Sequence, residues 1–231
     1  MFNLNDSLYS KSVTCLYCNN KFTTYKVRTN KTKLIKRDSD FCPYYEGENP
    51  LYYDVNVCPE CGFSFTESFA AINDQGKYET LKEKFIDKIN TNLNLTNERN
   101  TYDALNAYKL AIYSATLLNE DDLIIANLGL RIAWIYRFLK KREEEHRFIK
   151  NVLDIYYDIY QNEDLERMPM DKYLLIYLIG DLSGRLGEID RVSKWFSIII
   201  EDRAATPRVV KLTKDRWQYY RELIDKSRKI Q

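Results

Sequence analysis

The sequence predicts a mainly α protein, with a small cysteine-bearing α+β head followed by an array of helical hairpins. Two observations predict it. All five cysteines, three of the five prolines and eight aromatics between Phe41 and Phe69 precede Gly76, a composition that suits short strands, knuckles and turns. Beyond Gly76, apolar residues recur with the 3.6-residue period of amphipathic helices. Residues 1–76 are therefore read as the head and residues 77–231 as the helical domain.

The head carries Cys15-Leu16-Tyr17-Cys18 and Cys58-Pro59-Glu60-Cys61-Gly62. Two such knuckles can bring four thiolates together in the soft, tetrahedral, closed sphere that structural zinc prefers, leaving no open position for chemistry. Cys15, Cys18, Cys58 and Cys61 are thus expected to bind one zinc ion in a ribbon-like head. Pro59 stiffens the second knuckle, and Gly62 tolerates the positive φ that its exit often needs. Redox dithiols and reduced, unliganded motifs are the rival readings; a redox helix start wants a preceding strand and a following helix, and neither knuckle shows that. The 39 residues between Cys18 and Cys58 exceed a compact ribbon and must loop out. Cys42, within that insertion, is read as a small buried apolar residue. Lys21 to Arg37 holds seven basic residues and no acid, and Asp38 to Glu67 holds seven acids and no base; adjacent strands or loops would let them neutralise each other.

Six or seven helices can be read after Gly76. Tyr78, Leu81, Phe85 and Ile89 share one face of a short helix, ended by an Asn-rich break from Asn90 to Asn100. Leu105, Tyr108, Ile112 and Ala115 mark the next. The one after has Leu123, Ala126, Leu130 and Ala133 on one face and Ile124, Leu128, Ile132 and Ile135 on others, as expected of a helix covered on more than one side. Glu143, Glu144 and Glu145 open a fourth at its positive dipole end, along which Phe148, Val152, Ile155 and Ile159 recur. Pro169 and Pro207 each suit a first helical turn, with Thr206 able to cap the second. Gly187 separates Leu174 to Leu186 from Ile189 to Ile199 in a tight helix-turn-helix. Gly180, Leu186 to Glu188 and Trp195-Phe196 look like a tetratricopeptide hairpin, and Ala133 to Gly180 spans 47 residues, within reach of degenerate helical repeats.

The cysteine pairs, Arg37-Asp38-Ser39-Asp40 and Asn49-Pro50-Leu51-Tyr52-Tyr53 together resemble the bacterial domain-of-unknown-function 2225 family. The resemblance implies a cysteine-bearing head ahead of tetratricopeptide-like helices. It implies no activity.

Composition narrows function by exclusion. Lys plus Arg at 35 nearly cancels Asp plus Glu at 34, so the whole chain lacks a field that gathers nucleic acid or anionic membrane. No apolar run approaches the roughly 20 residues of a membrane span. Met1 to Lys11 shows neither a basic start, an apolar stretch nor a cleavage site, and a cytoplasmic, reducing setting is expected. No enzyme is expected. His146 is the sole histidine, no His-centred triad can be assembled, and the glycines match no phosphate-loop spacing. Asp38, Asp40, Glu46 and Glu48 are read as turn caps and local salt-bridge partners of Arg37 in preference to a hard-metal or acid–base site.

The preferred function is a zinc-stabilised interaction module for an unidentified protein or peptide. Tyr156, Tyr157, Tyr160, Tyr173, Tyr177, Tyr219 and Tyr220 are candidate core or groove residues. The alternative is a nucleic-acid binder in which Lys26, Arg28, Lys31, Lys33, Lys36 and Arg37 track phosphates beside Tyr25. Against it, the head holds 8 basic and 9 acidic residues. A thiol-based redox sensor is a third reading.

Overall fold

The computed structural model describes residues 6–89 and 95–228. It is mainly α, with short antiparallel strand pairs near the N-terminus, and it forms two compact units. Unit 1 comprises Met1–Arg37 and Cys42–Phe148, and unit 2 comprises Asp38–Phe41 and Ile149–Gln231. Residues 90–94 of the expected Asn-rich break lie outside the described residues.

Three hairpins build the start of unit 1. β1 (Leu8–Thr14) pairs with β2 (Lys21–Val27), from Leu8 opposite Val27 to Thr14 opposite Lys21. β3 (Lys33–Arg37) pairs with β4 (Pro43–Glu46) through a bulge between Leu34 and Lys36. The two-residue strands β5 (Asn56–Val57) and β6 (Ser64–Phe65) pair last. Between β4 and β5, Pro50–Tyr53 makes a short 3-10 turn, because Pro50 presets φ and the Asn49 side chain accepts from Leu51 N–H at 3.0 Å.

The helices of unit 1 begin with α1 (Gln75–Lys84), capped by Asp74 and followed by a 3-10 turn at Ile86–Lys88. Leu81 and Phe85 are buried as the apolar period predicts. α2 (Thr101–Leu118) starts with a capping box in which Asn100 and Asp103 satisfy each other's free amides. α3 (Asp122–Phe138) buries Leu123, Ala126, Leu130 and Ala133, and also Leu128, Ile132 and Ile135. It is the helix covered on several sides that the sequence predicts. α4 (Arg142–Asn162) carries its three glutamates in the first turn, and Arg137 Nε donates to Glu145 at 2.7 Å. The division between units falls within α4, after Phe148.

Unit 2 continues α4 and adds α5 (Lys172–Arg185), α6 (Ile189–Glu201) and α7 (Pro207–Arg228). Gly187, at φ 84°, makes the α5–α6 turn. Pro207 opens α7, whereas Pro169 does not open α5. Asp171 caps α5 instead, accepting from Tyr173 and Leu174 N–H at 2.8 and 3.0 Å, because a carboxylate satisfies free amides and proline only tolerates their absence. A Cβ on Gly180 would sit 2.4 Å from the Phe196 ring, and one on Gly184 would sit 2.1 Å from the Tyr220 ring. Two bare positions one turn apart on α5 thus admit an aromatic from α6 and another from α7. Among the described residues, no helix is long and apolar enough to cross a membrane.

Candidate metal centre

Both cysteine pairs occupy hairpin turns, and the two turns share one backbone frame. Between β1 and β2, Cys15 N–H donates to Asn20 O (2.9 Å) and Asn19 N–H to Cys15 O (3.1 Å). Between β5 and β6, Cys58 N–H donates to Phe63 O and Gly62 N–H to Cys58 O, each at 2.9 Å. The residue that donates back has positive φ in both turns, 58° at Asn19 and 74° at Gly62. Asparagine tolerates that conformation through its short polar side chain, and glycine through lacking a Cβ.

These frames aim the four sulfurs at one another. Cys15 Sγ lies 3.7 Å from Cys61 Sγ, and Cys18 Sγ 3.7 Å from Cys58 Sγ. All four lie within 4.8 Å of one another. Disulfide sulfurs sit about 2.05 Å apart, so these are separate thiols in a possible metal site. Cys15, Cys58 and Cys61 are buried and Cys18 is half-buried. Tyr17 stacks on Tyr78 at 4.4 Å and tilts against Phe63 at 6.3 Å, which places aromatic surface beside the first knuckle. Burial raises the Tyr17 phenol far above its ordinary range.

Crowding four sulfurs polarises them. Hydrogen bonding from Cys15 and then Cys61 holds the Cys58 thiol well below its ordinary range. Contact with Cys58 pushes Cys15 up to about 12, and Cys15 followed by Cys58 pushes Cys61 higher still. Four thiolates cannot share this volume without a cation among them. Cys42, fully buried, lies outside the cluster, as its reading as an apolar residue predicts.

The other candidates disperse. Lys26 Nζ donates to Tyr53 O at 2.6 Å, Arg28 to Leu8 O at 3.0 Å, and Lys31 to Asp6 at 2.8 Å. Lys33 sits 4.0 Å from Glu46, and Lys36 lies over the Tyr44 ring at 4.2 Å. Five of the six basic residues of the phosphate-tracking reading are thus engaged within the chain. Glu48 accepts from the Tyr53 hydroxyl at 3.1 Å. Among the described residues, the four cysteines form the one group of His, Cys, Asp or Glu side chains close enough to share an ion.

Asp40 is not merely a turn residue. It is fully buried in unit 2, where Arg185 donates to it at 3.1 Å. Asp181, also fully buried, accepts from Ser39 at 2.9 Å, Arg185 Nε at 3.2 Å, the Tyr220 hydroxyl at 3.1 Å, and Arg216 Nε. In unit 1, Arg99 is 5% exposed and donates to Leu95 O, Tyr52 O and Val55 O. Burial pushes its guanidinium down to about 10. Arg99, Asp181, Arg185 and Arg216 are not singled out by the sequence, because a lone charged residue reads as solvated surface. The one available signal for Asp181 was its place between Gly180 and Leu182 on an apolar helix. Of the seven named tyrosines, Tyr156, Tyr173, Tyr177 and Tyr220 are buried and Tyr219 is exposed.

The family described as "Uncharacterized protein conserved in bacteria (DUF2225)" matches residues 8–220. No curated protein and no solved structure matches the chain.

Proposed function

The chain belongs to the bacterial DUF2225 family, and from that premise we propose that Cys15, Cys18, Cys58 and Cys61 hold one structural zinc ion in a non-catalytic interaction module. One observation carries the metal. Four sulfurs placed tetrahedrally about 2.3 Å from zinc lie about 3.8 Å apart; two of the four cross-knuckle distances here are 3.7 Å, and every sulfur lies within 4.8 Å of the others. A dication also supplies the charge that lets every thiol ionise. The set is closed, so the ion would serve the fold. The hairpins it joins have two- and seven-residue strands, which bury too little to hold together unaided.

The interaction role rests on what the helices leave exposed. Tyr219 and Leu223, one turn apart on α7, are 46% and 43% exposed, and tyrosine supplies large contact area at modest entropy cost. Such a patch suits an apolar segment of a protein or peptide. Metal analysis of the purified chain is expected to give one zinc per molecule. Crosslinked capture should retain a protein partner with the native chain and lose it with Tyr219→Ser/Leu223→Ser. Capture unaffected by that double change, or material ordered without metal, overturns the corresponding half of the proposal.

A further inference from the structure

Unit 1 also contains a cleft of about 510 Å³ between β1, β2, the 3-10 turn at Pro50–Tyr53, the loop after β6, and α3. Its size lies within the roughly 300–1,000 Å³ of small-molecule sites. Its lining is charged in a particular way. At the rim, Lys11 and Glu67 pair with each other, their side chains 40% and 67% exposed. Beside them, Lys26 and Arg131 converge on Asp54 from two sides, the Arg131 and Asp54 side chains being 35% and 46% exposed. The Lys26 ammonium donates to the main-chain oxygens of Tyr53 at 2.6 Å and Asp54 at 3.2 Å. Arg131 Nε lies 3.6 Å from the Asp54 carboxylate.

The charge of this cleft does not balance. Over the whole lining, Lys11, Lys26 and Arg131 face Asp54 and Glu67, which leaves one positive charge uncompensated. Among the described residues the Lys26 ammonium hydrogen-bonds to neutral carbonyl oxygens, with the carboxylates of Asp54 and Glu67 near enough to act on it only through space. Burial accordingly pushes its ammonium below the ordinary lysine range. Burial likewise pushes the Asp54 carboxyl up, so Arg131 at 3.6 Å does not fully offset its desolvation. Donor capacity is also unspent. Among the described residues, Lys26 has three N–H groups for two carbonyl partners, and Arg131 hydrogen-bonds to Asn127 O at 3.2 Å beside its ion pair with Asp54.

We propose that this cleft binds a small organic anion, its carboxylate or phosphate group seated between Lys26 and Arg131. One negative charge there neutralises the surplus and accepts the unspent N–H groups, and charge-assisted bonds of this kind are about twice as strong as neutral ones. Thr29, Thr66, Ser68 and Asn127 offer hydrogen bonds for the rest of the ligand. Tyr9, 38% exposed, offers a ring face. The site is separate from the four cysteines, so it does not rest on the zinc reading.

An amide-resolved NMR titration of the full metal-loaded chain tests this, with inorganic phosphate, adenosine monophosphate and glutamate as probes. Saturable shifts at residues 26–27, 53–54 and 127–131 with an organic probe are expected; comparing the phosphate and carboxylate arms identifies the preferred group. Lys26→Met and Arg131→Gln should each weaken binding about tenfold or more. Glu67→Gln, which removes a negative charge at the rim, should tighten it. Shifts that fail to saturate, that sodium chloride reproduces, or that survive Lys26→Met in folded protein overturn the site. Should Lys26→Met not fold, the opposite responses of Arg131→Gln and Glu67→Gln decide the matter, and identical responses count against it.

Discussion

In unit 1, four sulfurs from two hairpin turns converge within 4.8 Å of one another; in unit 2, the fully buried Asp40 and Asp181 meet Arg185 and Arg216. Both clusters join stretches of chain far apart in sequence through polar atoms in a dry place. Their charge arithmetic differs. The carboxylate cluster pairs two acids, Asp40 and Asp181, with the guanidinium groups of Arg185 and Arg216, and Ser39 and Tyr220 add hydrogen bonds to Asp181. The sulfur cluster has no such internal counter-charge and calls for an ion from outside. Polar convergence alone is therefore not the device; what matters is whether the sequence encodes both signs. Where it does not, the proposed zinc reading makes stability conditional on the metal.

The largest expected effect tests that conditionality. If the proposed zinc is bound, Cys58→Ser, or treatment with a strong chelator, should release it and abolish hydrogen-exchange protection in β1, β2, β5 and β6. Structural zinc contributes about 10–16 kcal/mol in small zinc-finger peptides, comparable with the roughly 5–15 kcal/mol that separates most folded domains from their unfolded states. Protection in α5, α6 and α7 is expected to persist. Simultaneous loss in both units would break the contrast between a metal-dependent and a self-contained cluster.

Second in size is Asp181→Ala. It leaves the guanidinium groups of Arg185 and Arg216, with side chains 19% and 15% exposed, facing one another across a void. Removing one partner of a buried pair costs about 3–5 kcal/mol. Hydrogen exchange should quicken along α5 and α7 while zinc content stays unchanged. Retained protection would mean that water replaces the carboxylate, and that the pairing is dispensable.

The two clusters were unequally legible in the sequence. Thiolate ligands come with a fixed local grammar, since two sulfurs reach one ion from a tight turn only at short spacing, so both pairs could be read without knowing the fold. Charge pairing has no such grammar. Asp40 and Arg185 are 145 residues apart, and neither residue type at neither position distinguishes a buried partner from a solvated one. Arg37 beside Asp38 and Asp40 suggested a local pairing, yet Asp40 is held by α5. Helices were read well where the apolar stripe is sustained, as in α2 and α3. At α5 the stripe was found and the start misplaced, because Pro169 and Asp171 both carry starting signals and only hydrogen bonding ranks them.

A smaller effect sharpens the account of unit 2. Gly184→Ala should cost about 1–3 kcal/mol, the usual range for overpacking. The added methyl would displace the Tyr220 ring, whose hydroxyl donates to Asp181 O at 2.9 Å. Denaturation of Gly184→Ala with and without Tyr220→Phe separates the two causes. Should the clash alone matter, the costs of the two changes add; should the hydroxyl matter, the second change adds little once Tyr220 has moved.

The smallest effect lies inside the metal cluster and compares its two halves. Gly62 and Asn19 hold equivalent left-handed positions, but only Gly62 is also hemmed in, since a Cβ there would lie 2.8 Å from Ile89 Cδ1. Gly62→Ala should therefore cost about 1–2 kcal/mol from the left-handed backbone alone, plus whatever Ile89 must yield. Asn19→Gly relieves the Cβ strain while freeing the unfolded chain, two small terms of opposite sign. Zinc affinity measured by competition with a chelator reads both changes on one scale. A clear loss at Gly62 with near-neutrality at Asn19 is the expected pair. Equal losses at both would show that each turn owes its shape to its own side chain, rather than to the backbone frame the two turns share.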